Sequence, residues 1–463
     1  MPSADVVVIG AGLAGLTAGI ALADAGARVE VVARGHAATH WTPGGFDCAA
    51  PPGATTLADG IERLAALSGH PYGLVGGDLR PGLSSLREVI AAEGLTYRGE
   101  LDDPLGAVPT SIGGTRRVAI VPAGQGSALD PWAAGEQLVV CGIAGFKDFW
   151  PAPIAASLTR PSVWGAGEGG RPSRVEAVSV ELPGQAGRRN VNALELGRAF
   201  DDAAWRREAF ASIARAVETT GRGPGRIALP AVLGLDDHMA VLEDAARILP
   251  LAAFEVPLVP PSLPGLRLYR ALRDAFRRRG GRMSIGEPVI RIDAKGRRVT
   301  AVVLSAAVRE RRIVAGAVVL ATGGIAGGGL VGRADGRLEE PLLDLPVEAP
   351  AVEEWLAEKP LAADGHPLER AGIRTDTDLH PVDANGRVVL DNVAVVGSLL
   401  AGQRYLAERC GDGVAIASAV RAAATLDPAR SAAVAAIGPG QVPRAETKAK
   451  PKAKSKPKAA SRS

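Results

Sequence analysis

Residues 5–15 read DVVVIGAGLAG, and no other run limits the fold of this chain so tightly. A β-branched stretch, Val6, Val7, Val8 and Ile9, halts at Gly10, and Gly10, Gly12 and Gly15 open an Ala/Leu-rich helical stretch. Gly10 permits the tight strand-to-helix turn, Gly12 lets the backbone approach a phosphate, and Gly15 packs helix against strand. The free N–H groups and the positive end of the helix then face an anion. Strand, glycines and helix in that order predict a bound nucleotide-type cofactor. The alternative is a doubly wound core whose glycine turn holds no ligand.

The 463 residues exceed one ordinary domain and supply a sizeable core, with 47% hydrophobic and 22% charged residues marking a soluble globular chain. Aromatic residues are only 4%, so a flat cofactor is expected to rest on backbone and aliphatic groups. Cys48, Cys141 and Cys410 are odd in number and scattered, which reads as reduced cytosolic thiols. No CxxC or HExxH spacing occurs, so no metal site is expected. No secretory leader is expected, because a strand begins almost at once. No stretch of about 18 apolar residues escapes interruption by charges or multiple glycines, so membrane contact would come through a partner.

From Thr447 onward the chain carries six lysines, one arginine and no acid. Without them the formal net charge of +3 becomes 46 basic against 50 acidic residues. The body is therefore no nucleic-acid surface. Low complexity and prolines predict disorder for the tail. It reads as a solubilising segment or a weak attachment to anionic lipid or nucleic acid.

The hydrophobic pattern predicts a β-α-β unit from strand 5–9, helix 13–25 and strand 28–33, then a loop at 39–50 centred on Gly44–Gly45. Helices are predicted near 56–68 and 82–94, and buried strands at 137–143 and 226–230. A helix is predicted over 263–281, with Leu268, Leu272, Ala275 and Phe276 on one face. A hairpin over 289–292 and 298–305 precedes a strand at 313–320 that ends in Ala321-Thr322-Gly323-Gly324. The last strand, 393–396, stops at Gly397 before a helix over 411–425.

Three buried strands thus end abruptly at glycine, at Gly10–Gly15, Thr322–Gly324 and Gly397. One sheet can gather all three ends on the edge where open α/β sheets bind ligands. This layout resembles that of flavoprotein oxidoreductases. Two departures stand out. After strand two, Ala33-Arg34 occupies the place of the acid that holds the adenosine ribose, and Glu30 lies too early in the strand to serve. After the third strand stands Gly397-Ser398, where Gly-Asp is frequent. FMN, which has no adenosine half, suits the missing acid better than FAD, the alternative.

GAGLAGL (10–16), ARG (33–35), HPY (70–72), GIAGFKDF (142–149), VPPSLPGLRL (259–268), GGLV (328–331) and EPLLDL (340–345) together resemble the B-subunit family of the anaerobic glycerol-3-phosphate dehydrogenase. The last four are the specific ones, and the resemblance spans about residues 1–425. It implies an α/β, Rossmann-like flavoprotein fold of the FAD/NAD(P)-binding type with an inserted second α/β domain. The expected division is a flavin-binding part at 1–50, an inserted substrate or partner domain at 51–284, a second flavin-binding part at 285–425 and the tail at 426–463. It also implies FMN and two partners, the catalytic A subunit, and the membrane-anchoring iron–sulfur C subunit. The implied reaction oxidises sn-glycerol 3-phosphate to dihydroxyacetone phosphate at the inner face of the cytoplasmic membrane, with electrons passed towards quinone. The alternatives are a flavoprotein-like scaffold with reduced cofactor binding, or a standalone flavin oxidoreductase acting on another small molecule.

Gly10, Gly12 and Gly15 are the expected cofactor-phosphate residues, supported by Thr322, Gly323 and Gly397. Thr42, Gly44 and Gly45 either close over the flavin or form a plain turn. Arg267 is the candidate for the substrate phosphate, because arginine grips phosphate with two parallel N–H bonds; the competing reading pairs it with an acid on the helix surface. His70, His366 and His380 are bases by type, each more readily read as a structural hydrogen-bonding residue, and no catalytic base is assigned. Cys410, beside the third glycine turn, reads as packing.

Overall fold

The computed structural model describes residues 3–165, 170–221, 223–306, 309–360 and 362–427. Apart from residues 426 and 427, the expected tail lies outside them. The chain begins with β1 (Ser3–Ile9), α1 (Leu13–Asp24) and β2 (Val29–Ala33), as the glycine pattern requires. Next come α2 (Leu57–Ala65) and α3 (Tyr72–Ala91). The helix expected at 82–94 therefore starts at Tyr72 and runs through Pro81. Proline inside a helix costs roughly 3 kcal/mol. Burial of Tyr72, Val75, Leu79, Leu83, Leu86 and Ile90 outweighs that, at about 1.5–3 kcal/mol per large apolar side chain.

A second set follows in chain order: β3 (Gln137–Ile143), α4 (Pro151–Leu158), β4 (Arg174–Val180), α5 (Ala193–Asp201), α6 (Ala203–Glu218), β5 (Gly225–Pro230), α7 (His238–Ile248) and β6 (Ala252–Val256). Its strands form a parallel four-stranded sheet in the order β6-β5-β3-β4. The helices between them place this sheet in the doubly wound class.

The chain then returns through α8 (Leu263–Arg278), β7 (Arg282–Ile285), β8 (Val289–Lys295), β9 (Arg298–Ala306), β10 (Arg309–Leu320), β11 (Val393–Val395), α9 (Tyr405–Glu408) and α10 (Gly411–Thr425). The resulting seven-stranded sheet has the order β7-β2-β1-β10-β9-β8, with β11 beside β10. The fold is Rossmann-like with a second α/β body, as expected.

Residues 51–284 do not form one inserted domain, however. Leu57, Leu64 and most of α3 join the first core, as do Leu268, Leu272 and Phe276 of α8, and β7 pairs with β2. The apolar stripe on α8 is the physical cause. Gly19 of α1 lets the Phe276 ring approach so closely that a Cβ there would stand 3.0 Å from it. The inserted body is the set built on β3 to β6, with its own core. Among the described residues, no helix is long and apolar enough to cross a membrane.

Candidate functional site

The register of the large sheet brings the three glycine turns together. Ile9 is paired with Leu320 and Leu320 with Val395. Beyond them, Ala321 N–H donates to Ile9 O at 2.9 Å and Val396 N–H to Leu320 O at 3.1 Å. The three turns therefore leave one edge side by side. Gly10 has φ +118°, and a Cβ there would lie 2.1 Å from Ala321 O. A Cβ on Gly15 would lie 2.0 Å from Gly10 O, so helix and strand meet through bare backbone. Gly397, at φ +69°, sits over Ala14 at the start of α1. Ser398, read as a loss from sequence, joins two of the turns by accepting the Gly324 N–H at 3.2 Å. Gly397 N–H donates to Ser418 Oγ of α10 at 3.0 Å.

Two observations test whether this cradle suits a phosphate. Gly12 has φ −82°, and a Cβ there would meet only Ala37 Cβ at 3.5 Å and Thr39 Oγ1 at 3.9 Å. The protein itself tolerates a side chain at 12, so the open approach serves something outside it. Thr322 Oγ1 is buried with no hydrogen-bond partner among the described residues, a state buried hydroxyls rarely keep. Of the first N–H groups of α1, Leu13 N–H donates to Thr39 Oγ1 at 3.1 Å. Those of Ala14 and Gly15 have no intrahelical acceptor. The cradle fits an anion of phosphate type.

The adenosine side differs. Glu30 Oε1 accepts from Ser284 Oγ at 3.0 Å and from Arg311 Nη1 at 2.7 Å, so it is held inside the sheet. Arg34, at the end of β2, lies against Gly328 of the second turn, its Nη2 3.3 Å from where a Cβ would stand.

Gly44 and Gly45 owe their small size to packing: a Cβ on Gly44 would lie 2.6 Å from Pro264, and one on Gly45 2.9 Å from Ile120 O. Arg267 is neither a helix-surface residue nor available to a substrate. It is 4% exposed, its Nε donates to Gly234 O at 2.7 Å, and Nη1 and Nη2 bind the buried Glu255 at 2.7 and 2.9 Å. The helix faces inward at 267 because Glu255 of β6 waits there. Beside the pair, burial and Arg267 push His238 down to about 4, so its ring is neutral at neutral pH.

The three histidines are held by partners within the protein. His70 Nδ1 accepts the Tyr72 N–H at 3.1 Å, and Nε2 lies 3.3 Å from Glu408. Burial alone would raise Glu408, but His70 and Arg404 overcome it and hold the carboxyl at about 2. His366 accepts the Ala357 N–H at 3.0 Å, and His380 lies 3.3 Å from Asp376. Cys410 is buried, and burial drives its thiol well above the usual range.

Sequence reasoning missed a carboxyl pair. Asp47 N–H donates to Asp412 Oδ2 at 2.9 Å, Asp412 N–H returns to Asp47 O at 3.1 Å, and Arg116 Nη2 lies 2.6 Å from Asp47 Oδ1. Burial, with the Asp47 charge added, raises Asp412 from 3.8 to about 7. The folded state then keeps a proton that the unfolded chain releases, so stability falls as pH rises between those two values. Asp412→Asn is expected to stabilise the fold at about pH 8, and the gain should vanish below about pH 4. Urea midpoints at both pH values check this; an equal difference at both would contradict it.

The sequence profile of the FAD-binding domain family matches residues 5–414, and the chain belongs to this class of flavoproteins. The probable anaerobic glycerol-3-phosphate dehydrogenase B subunit of Halobacterium salinarum is 31% identical over 425 residues, 89% of this chain and 95% of that one. The anaerobic glycerol-3-phosphate dehydrogenase B subunit of Vibrio cholerae O395 is 30% identical over 441 residues, 90% of this chain and 95% of its own. Among solved structures, the open conformation of a flavocytochrome c3 fumarate reductase aligns over 92% of this chain and 78% of that one, at 11% identity and a TM-score of 0.42. The chain is a member of the anaerobic glycerol-3-phosphate dehydrogenase B-subunit family, a family of oxidoreductase subunits.

Proposed function

We propose that this chain carries FMN within a quinone-linked glycerol-3-phosphate dehydrogenase that oxidises sn-glycerol 3-phosphate to dihydroxyacetone phosphate. The observation that carries the reading is the meeting of the Gly10, Thr322 and Gly397 turns on one sheet edge. The flavin, when bound, supplies the acceptor for a hydride from the substrate carbon. Ala14 and Gly15 N–H would hold its phosphate, Gly12 leaves the approach clear, and Thr322 Oγ1 would add a hydroxyl contact. Engagement of Glu30 with Arg311 and the cation at Arg34 support FMN over FAD, because a ribose diol lacks its usual acidic partner there.

The enzyme acts in the cytoplasm in complex with the catalytic A subunit, and reaches the inner membrane through the iron–sulfur C subunit. Gly44 and Gly45, packed against Pro264 and Ile120, would close over the flavin through their backbone. The test is release of the cofactor by denaturation, followed by its mass and its ratio to chain. FMN at one per chain is expected. FAD at that ratio would overturn the choice of flavin, and a folded chain without any flavin would overturn the reading.

A further inference from the structure

A cleft of ≈ 490 Å³ opens between Pro52, the stretch from Ala362 to Glu369, and Leu406, Ala407 and Arg409. That volume suits a small ligand. Its lining is mostly apolar apart from Arg117, Arg409, His366 and Glu369. The carboxylate is already committed: Glu369 Oε1 accepts the His366 N–H at 3.0 Å and Oε2 the Leu406 N–H at 3.3 Å. The two arginines are not matched in this way. Arg117 donates to Ala54 O, and Arg409 Nη1 donates to Arg117 O at 3.3 Å, but neither forms an ion pair with a carboxylate among the described residues. Their neighbours do, Arg116 with Asp47 at 2.6 Å and Arg404 with Glu408 at 3.2 Å.

Arg409 also holds a left-handed backbone, φ +48°, that a glycine would adopt without strain. What the position gains from arginine is therefore its side chain. Burial pushes the Arg409 guanidinium down, and although Asp47 opposes this, Arg116 and Arg117 push the same way. Arg116, Arg117 and Arg409 thus crowd together, with Asp47 as the carboxylate that acts on Arg409, and an anion with several oxygens would relieve them.

We infer that Arg117 and Arg409 form the phosphate-binding end of a substrate site in this cleft, taking the dianionic group of a small phosphomonoester. Guanidinium groups offer paired N–H donors that match phosphate oxygens. The assignment of that phosphomonoester as sn-glycerol 3-phosphate rests on the function proposed above. Arg116, next in sequence to Arg117, ties Asp47 and so sets the Asp47–Asp412 carboxyls beside the same arginines.

The test is titration calorimetry on the full-length, flavin-loaded chain, with inorganic phosphate, sn-glycerol 3-phosphate and glycerol as separate probes. The wild-type chain is expected to bind the first two and not glycerol. Arg409→Gln and, separately, Arg117→Gln should each weaken phosphate binding by about tenfold or more, with flavin content unchanged. Arg117 is exposed on a surface strand, so its variant keeps the test open should Arg409→Gln not fold. A wild-type chain that binds neither phosphate nor sn-glycerol 3-phosphate would overturn the inference. Substrate binding retained in both variants would overturn it too, and would leave the glycerol-phosphate reading standing. Phosphate binding lost in the variants, in an assembled enzyme that does not turn over sn-glycerol 3-phosphate, would support the anion cleft and overturn the substrate assignment instead.

Discussion

Gly12→Ala is expected to leave the protein folded and to cut flavin retention by at least about tenfold, since one lost charge-assisted hydrogen bond is worth roughly 1.5–3 kcal/mol. The new methyl group would meet its protein neighbours at 3.5 and 3.9 Å, ordinary contact distances, on a backbone of φ −82°. Nothing in the polypeptide resists it. It would instead stand in the path by which a phosphate reaches the Ala14 and Gly15 N–H groups. Gly10→Ala should behave differently, because its Cβ would stand 2.1 Å from Ala321 O at φ +118°, and the turn itself must break. The pair of variants separates loss of ligand from loss of fold. Thermal melting and the visible flavin band of each purified protein check this. A Gly12→Ala protein with full flavin content would contradict it.

The largest effect on stability is expected at the Arg267–Glu255 pair. Both side chains are almost wholly buried, at 4% and 0% exposure. Removing one partner of a buried, hydrogen-bonded pair strands the other charge and costs about 3–5 kcal/mol. Arg267→Met would leave the Glu255 carboxylate with only the Leu233 N–H at 2.8 Å and the neutral His238 nearby. Replacing both at once, with Arg267→Met and Glu255→Leu, should recover much of that loss, since two apolar groups leave no charge uncompensated. Urea unfolding of the two single variants and the double variant measures the coupling. A change below about 1 kcal/mol in Arg267→Met, the scale of an exposed pair, would contradict the buried-pair reading.

The elements legible in the sequence were those where backbone geometry forces a residue type. Gly10, Gly15 and Gly397 are glycine because a Cβ would strike backbone or a packed helix, so their pattern exposed the sheet edge directly. The strand at 137–143 was legible because all its residues are buried, and the apolar face of α8 by its helical period. The partner of that face was not. A stripe announces burial, but nothing local says that it meets Gly19 of α1 rather than the inserted body. The surroundings of Arg267 are illegible for the same reason, since they are set by Glu255 on β6, a strand that no sequence pattern marks.

Helices α5 and α6 carry a start signal in the sequence. Asn192 and Asp202 cap them, accepting N–H bonds from Glu195 at 2.9 Å and from Ala204 and Trp205 at 2.9 and 2.8 Å. The Asp47–Asp412 pair joins residues 365 positions apart, and the Arg117–Arg409 cleft has a similar reach. Contacts of that span arise from the closed fold and leave no periodic trace. Within the segments that carried the family resemblance, Phe146, Phe149 and Leu345 are core residues, and Glu340 caps the Leu342 and Leu343 N–H groups. Those motifs identify the family through packing rather than chemistry.

The shared cradle is tested most directly by a crystal structure of the flavin-loaded chain. The flavin phosphate is expected within hydrogen-bond reach of the Ala14 and Gly15 N–H groups, with the Thr322 hydroxyl and the Gly397 turn on either side. A phosphate seated anywhere else on the chain would contradict a shared role for the three glycine turns.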